Sequence, residues 1–182
     1  DVLLVMPTGS GKSLCYQLPA VLLPGLTLVV SPLIALIRDQ VQALVRRGVR
    51  AASFTSADSL EERSRTERAL RDGALDLVYV APERFRSGRF LELLRASELA
   101  LFVVDEAHCI SEWGHDFRPD YAKLREVVRA LAPSRVAAFT ATATPEVQSD
   151  IVRGLDLESA RTIVTGFDRK NLELQVVEPG RG

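Results

Sequence analysis

The run Pro7, Thr8, Gly9, Ser10, Gly11, Lys12, Ser13 follows directly on a short apolar stretch, residues 2–6. These are the residue types that a phosphate-binding loop needs. Gly9 and Gly11 let the backbone curl, so that successive N–H groups point inward at phosphate oxygens. The N-terminus of a following helix adds partial positive charge. Lys12 is placed to reach the terminal phosphates of a nucleotide, and the Ser13 hydroxyl to hold Mg²⁺. The usual pattern has glycine where Met6 stands, so the match is incomplete there. The alternative is a glycine-rich strand-to-helix turn with a solvated lysine.

A second cluster begins at residue 105. The apolar run 99–104 ends in Asp105 and Glu106, followed by His108, Cys109, Trp113, His115, Phe117, Arg118 and Tyr121. The only tryptophan and both histidines lie in this span. Beside a phosphate loop, Asp105 would hold Mg²⁺ through water and Glu106 would act as general base on an attacking water. The plainer reading is an acid pair at a strand end or paired with an arginine. A third group, Thr140 and Thr142, closes another apolar run at the same kind of position. Their hydroxyls can bond to His108, against the bland alternative of threonine's β-propensity.

These groups need strands that deliver them to one edge. Apolar runs at 2–6, 26–30, 51–54, 76–80, 99–104, 136–139 and 162–164 are short and mostly non-alternating, as strands buried on both faces are. Helical patterns occupy 12–22, 33–47, 60–72, 90–95, 121–131 and 145–154. Thr144 before Pro145 reads as a helix start and Gly48 as a stop. Repeated β-then-α predicts one doubly wound α/β domain over residues 1–182 with a mostly parallel sheet, whose chemistry sits at the carboxyl ends of the strands.

Bulk properties narrow the classes. A formal net charge of -1 gives no global basic field, so any nucleic-acid contact must be local. The cysteines, Cys15 and Cys109, form no CxxC, and a reducing, cytoplasmic setting is expected. The longest apolar stretch contains Pro19 and Pro24, which excludes a membrane span there. Cys15, His108, Cys109 and His115 match no common zinc spacing, so no zinc is expected; Cys15 reads as core.

The motifs PTGSGKS, DEAH and FTATAT, in this order, resemble the first RecA-like lobe of a superfamily 2 helicase. MPTGSGKSLCYQLPA, VVSPLIALIRDQV, YVAPERF and DEAHCISEWGHDFRPDY are similar to the RecQ family of DNA helicases over almost the whole chain. The resemblance implies an ATP- and Mg²⁺-dependent DNA helicase of 3′-to-5′ polarity, acting on single-stranded and junction DNA. It implies nucleoid association in a bacterium and a nuclear site in a eukaryote. It also implies a second RecA-like lobe in cis that supplies an arginine, an adenine-reading motif upstream, and near-inactivity of this lobe alone. Zinc in that family sits in a domain beyond this region.

The same resemblance makes residues 111–121 an aromatic-rich loop that senses single-stranded DNA. Trp113 and Phe117 would stack on bases, His115 would hydrogen-bond, Arg118 would bind phosphate or reach the nucleotide, and Asp116 would hold the loop. Against this stands core packing of the aromatics, the expectation for Tyr121. His108 would bridge the acid pair to Thr140 or Thr142. Ser31, read as a helix start, would meet DNA phosphate. Arg84 would meet DNA or form an internal salt bridge, and Arg46, Arg47 and Arg50 would be a solvated helix end. GFDRKNLELQV resembles the family's end-of-lobe segment, with Lys170 where proline is usual. An RNA helicase of the same superfamily and a non-catalytic ATP-gated module remain alternatives.

Overall fold

The computed structural model describes residues 1–114, 116–157 and 159–166; His115 and the segment around Lys170 lie outside them. The strands are β1 (Val2–Val5), β2 (Leu26–Val30), β3 (Ala51–Phe54), β4 (Leu77–Val80), β5 (Leu99–Val104), β6 (Val136–Thr140) and β7 (Arg161–Val164). They form one seven-stranded sheet in the order β3-β4-β2-β5-β6-β1-β7. Every pairing is parallel. The central strands β2, β4, β5 and β6 are buried at every position, which is why they read as continuous apolar runs.

The helices are α1 (Leu14–Leu22), α2 (Ile34–Arg46), α3 (Leu60–Arg71), α4 (Gly88–Arg95), α5 (Pro119–Ala122), α6 (Leu124–Leu131) and α7 (Pro145–Gly154). Leu70 of α3, Phe90 and Leu94 of α4, Leu124 and Val127 of α6 and Ile151 of α7 pack with Leu28, Phe102 and Val104 on one face. Tyr16 and Ala20 of α1 and Ile37 and Leu44 of α2 pack with Val29, Tyr79, Val103 and Phe139 on the other. The domain is therefore doubly wound. The Phe54 and Phe90 rings stack with centroids 4.3 Å apart. On the α1 side Leu14, Leu18 and Val21 are exposed, on one stripe of the helix, and β7 exposes all four of its residues.

Local chemistry explains most boundaries. Ser59 and Glu62 close a reciprocal capping box at the start of α3. The Thr144 side chain accepts from Val147 N, with Pro145 in the first helical position. Three expectations shift: α4 begins at Gly88 rather than Phe90, capped by the Ser87 side chain, which accepts from Phe90 N. The first helix begins at Leu14 rather than Lys12, because Lys12 and Ser13 still belong to the loop. The pattern over 121–131 is divided at Lys123, where the chain turns from α5 into α6. Sequence periodicity also missed 3-10 turns at Pro82–Arg86 and Ala107–Ile110. Among the described residues no helix is long and apolar enough to cross a membrane.

Candidate functional site

The strand order places β6 between β1 and β5. The carboxyl ends of these three neighbours therefore carry the glycine-rich loop, Thr140 and the Asp105-Glu106 pair along one edge. In the loop, Gly9 and Gly11 have φ of 81° and 88°, a region that a Cβ disfavours. A Cβ built at either would meet nothing within 4 Å, so the constraint at both positions is the backbone conformation and not crowding. Ser10 N donates to Pro7 O at 3.3 Å, and Leu14 N to Gly11 O at 3.0 Å, which closes the curl. Ser13 makes no side-chain cap to its own helix.

Asp105 is 6% exposed, and its bonds hold it from several directions. Its Oδ1 accepts from Glu106 N at 3.0 Å and its Oδ2 from the Tyr16 hydroxyl at 3.4 Å. Its carbonyl accepts from the Tyr121 hydroxyl at 2.9 Å. Burial, then the neighbouring Glu106 charge, push its pKa up to about 6, while Glu106 N–H, Lys12 and Tyr16 pull it down. Glu106 adopts a left-handed backbone, φ 49°, uncommon for a residue with a Cβ. That conformation turns the chain off β5 into the following 3-10 turn and leaves the Glu106 side chain 25% exposed.

His108 is buried, with Nδ1 3.0 Å from Thr140 Oγ1 and 3.4 Å from Glu106 Oε2. The Thr140 hydroxyl donates to Thr142 O and accepts from Thr142 N. With its proton directed to Thr142 O, the hydroxyl has a lone pair free for an Nδ1–H. Thr140 meets His108 by its side chain, and the Thr142 backbone bonds to the same hydroxyl.

The loop after the 3-10 turn is pinned at its base and exposed at its tip. Ser111 Oγ donates to Asp150 at 2.7 Å, Gly114 N to Ser111 O at 3.0 Å, and Arg118 N to Cys109 O at 3.0 Å. Trp113 is 83% exposed and Phe117 37%, so neither is a core residue. Arg118 does not reach out as expected. Its Nη2 donates to Asp116 at 2.9 Å and its Nη1 to Pro32 O at 3.2 Å, which ties this loop to the segment after β2. The Arg118 bond also holds the Asp116 carboxyl below its usual range.

Several expectations are corrected. Ser31 is 1% exposed and three residues short of α2, so it is neither at a helix start nor open to DNA. Cys15 is exposed, because α1 turns Tyr16 and Ala20 to the sheet and the residue before Tyr16 faces away. Arg84 places its guanidinium 4.6 Å over the Phe54 ring instead of forming a salt bridge. Arg50 is paired with Asp76 rather than only solvated. Tyr121 is fully buried as expected, yet its hydroxyl has the structural task at Asp105 described above.

Sequence reasoning missed Tyr16, Tyr79 and Gln17. A tyrosine on the buried stripe of a helix carries a hydroxyl that must find a partner, and that was the available signal. His108, Cys109 and Asp116 bring ligand atoms within 4.8 Å of one another. As placed, these groups are engaged with protein partners: Arg118 Nη2 donates to Asp116, and the Cys109 thiol meets the same carboxylate at 3.8 Å. A divalent metal fits better beside Asp105. The Asp105 carboxylate accepts from the Tyr16 hydroxyl of α1, the helix that Ser13 precedes. The buried Ser31 Oγ has no protein partner among the described residues. Val30 pairs with Val104, and Val29 and Val103 share one face, so Ser31 and Asp105 sit side by side on the α1 side of the sheet.

A curled glycine loop after the first strand, facing a buried acid pair at the end of a parallel one, defines the nucleotide-binding lobe of a P-loop NTPase. The DEAD/DEAH box helicase family model matches residues 1–151, and the chain belongs to that family. It is 47% identical over 175 residues to the ATP-dependent DNA helicase RecQ of Bacillus subtilis, covering 96% of this chain and 30% of that protein. It is 43% identical over 178 residues to RecQ of Haemophilus influenzae, covering 98% and 29%. The chain thus spans less than a third of those relatives' length. The Pyrococcus furiosus Hef helicase domain has the same fold, with TM-score 0.66 at 21% identity, covering 90% of this chain and 34% of that one.

Proposed function

We propose that this lobe is half of the motor of an ATP-dependent DNA helicase of the RecQ kind, moving 3′-to-5′ on single-stranded DNA and acting at junctions. The observation that carries the reading is the path from Trp113 to Glu106. An indole 83% exposed stands on a loop whose base contains His108, and His108 contacts both Glu106 and Thr140. An exposed ring is free to stack on a base, which is sequence-tolerant and worth ~1–3 kcal/mol per base.

In this reading the N–H groups of residues 8–13 bind the ATP phosphates and Lys12 neutralises the terminal ones. Ser13 and Asp105 would hold Mg²⁺. The metal would offset charge on the phosphate oxygens. Glu106 accepts a proton from the attacking water. A second RecA-like lobe in cis supplies an arginine to the same phosphates. A cytoplasmic setting, on the nucleoid in a bacterium or nuclear in a eukaryote, belongs to the same proposal.

The test compares ATP hydrolysis by the full-length protein with single-stranded DNA and with RNA. Strong stimulation by DNA and weak stimulation by RNA is expected. Equal stimulation would favour an RNA helicase, and no hydrolysis with either would favour a non-catalytic module.

A further inference from the structure

Tyr16 is the largest buried side chain of α1, and its ring carries a hydroxyl into the sheet side of the helix. Its ring packs edge-on against Phe139, with centroids 5.2 Å apart, and that contact needs no hydroxyl. The hydroxyl donates to Asp105 Oδ2 at 3.4 Å. Behind it the Tyr79 hydroxyl donates to Tyr16 at 3.5 Å, and Gln17 Nε2 donates to Tyr79 at 2.9 Å. Gln17 is held in turn by Gln40 Oε1 of α2, 2.7 Å away. Each donor in this row faces the same way, towards the carboxylate.

We propose that Tyr16 is a positioning residue that fixes the Asp105 carboxylate for the divalent metal, backed by Tyr79 and Gln17. The two contacts of the Tyr16 hydroxyl are long, and burial gives them weight. In a low dielectric, aligned hydrogen bonds polarise one another, and no water competes for the acceptor. Oδ1 is already fixed by Glu106 N–H, so a second donor on Oδ2 sets the rotation of the whole group. Groups of this kind around a ligating carboxylate change metal affinity by ~10–100-fold when removed. The inference rests on the assignment of Asp105 as a metal ligand.

The experiment is a Mn²⁺ titration, followed by electron paramagnetic resonance, of full-length protein with a non-hydrolysable ATP analogue. Tyr16→Phe keeps the ring and removes the hydroxyl. It should weaken Mn²⁺ binding by about 10-fold, leave analogue affinity in EDTA unchanged, and leave Tm near that of the unaltered protein. Unchanged Mn²⁺ affinity would overturn the proposal. If Tyr16→Phe does not fold, Tyr79→Phe decides: weaker Mn²⁺ binding supports the row, and unchanged binding overturns it. Asp105→Asn separates the two ideas. If it retains Mn²⁺ binding, the metal assignment and this inference fail together. If it abolishes binding while Tyr16→Phe does not weaken it, only the inference fails.

Discussion

His108 and Thr140 meet at 3.0 Å, imidazole to hydroxyl, across the carboxyl ends of β5 and β6. The imidazole stands between two things that sequence places far apart. On one side is Glu106, with its carboxylate 3.4 Å away. On the other is the β6 end, whose Thr140 carbonyl accepts from Met6 N at 3.0 Å, directly before the glycine loop. Motion of the Trp113 loop therefore has a short, packed route to both halves of the nucleotide site.

Trp113→Ala should uncouple DNA from ATP in the full-length protein. Basal hydrolysis should persist, and the DNA-stimulated maximum should fall by about 10-fold or more, while affinity loses only the ~1–3 kcal/mol of one stacked base. The melting temperature should not change, since the ring is 83% exposed. The measurement is ATPase rate against single-stranded DNA concentration; full stimulation at saturating DNA would refute the coupling role.

Thr140→Val keeps the shape of a strand residue and leaves the His108 Nδ1–H without its threonine partner. Stability should fall by ~1 kcal/mol, the net worth of one hydrogen bond, since the imidazole keeps the Glu106 carboxylate 3.4 Å away. DNA stimulation should fall as well. Combined with Trp113→Ala the loss of stimulation should be less than additive, since both changes interrupt one route. Fully additive losses would place the two residues on separate routes.

Glu106→Gln should still bind ATP with Mg²⁺ but hydrolyse it very slowly. The amide retains the size of the side chain and cannot accept a proton. Fluorescent-nucleotide binding and phosphate release, measured on one preparation, separate the two effects. Loss of binding in a folded variant would contradict the general-base role.

Asp105 gives a pH-dependent stability with a definite sign. Its folded pKa of about 6 lies above its ordinary 3.8, because burial and Glu106 disfavour the charge. Between those values the folded state holds more protons than the unfolded one, so ligand-free stability falls as pH rises through that window. The cost, about 3 kcal/mol at pH 7 from a two-unit shift, should disappear in Asp105→Asn. This variant should melt above the unaltered protein at pH 8 and with it at pH 4, both without nucleotide or metal. An equal or lower melting temperature at pH 8 would show that the buried charge is not a burden.

The elements were largely legible in the chain. Each expected strand is present, with ends within a residue, because strands buried on both faces leave an unmistakable apolar run. α7 matched its predicted bounds, 145–154, because Thr144 and Pro145 announce its start by local hydrogen bonding. The misplaced ends fall where a loop borrows helical residue types, as at Lys12 and Ser13, and where a single pattern covers a turn, as at Lys123.

By itself the sequence determined which residue types stand at the carboxyl ends of buried strands, since that depends only on order along the chain. It could not say which strands are neighbours. That β6 lies between β1 and β5, and so brings Thr140 to His108, is decided by long-range packing. Nor could it assign partners to long side chains. Arg118 was expected at a ligand and instead ties Asp116 to Pro32. Ser31 was expected outside and is buried, and Tyr16 was passed over and reaches Asp105. A guanidinium or phenol can span several neighbours, and only the three-dimensional surroundings choose among them.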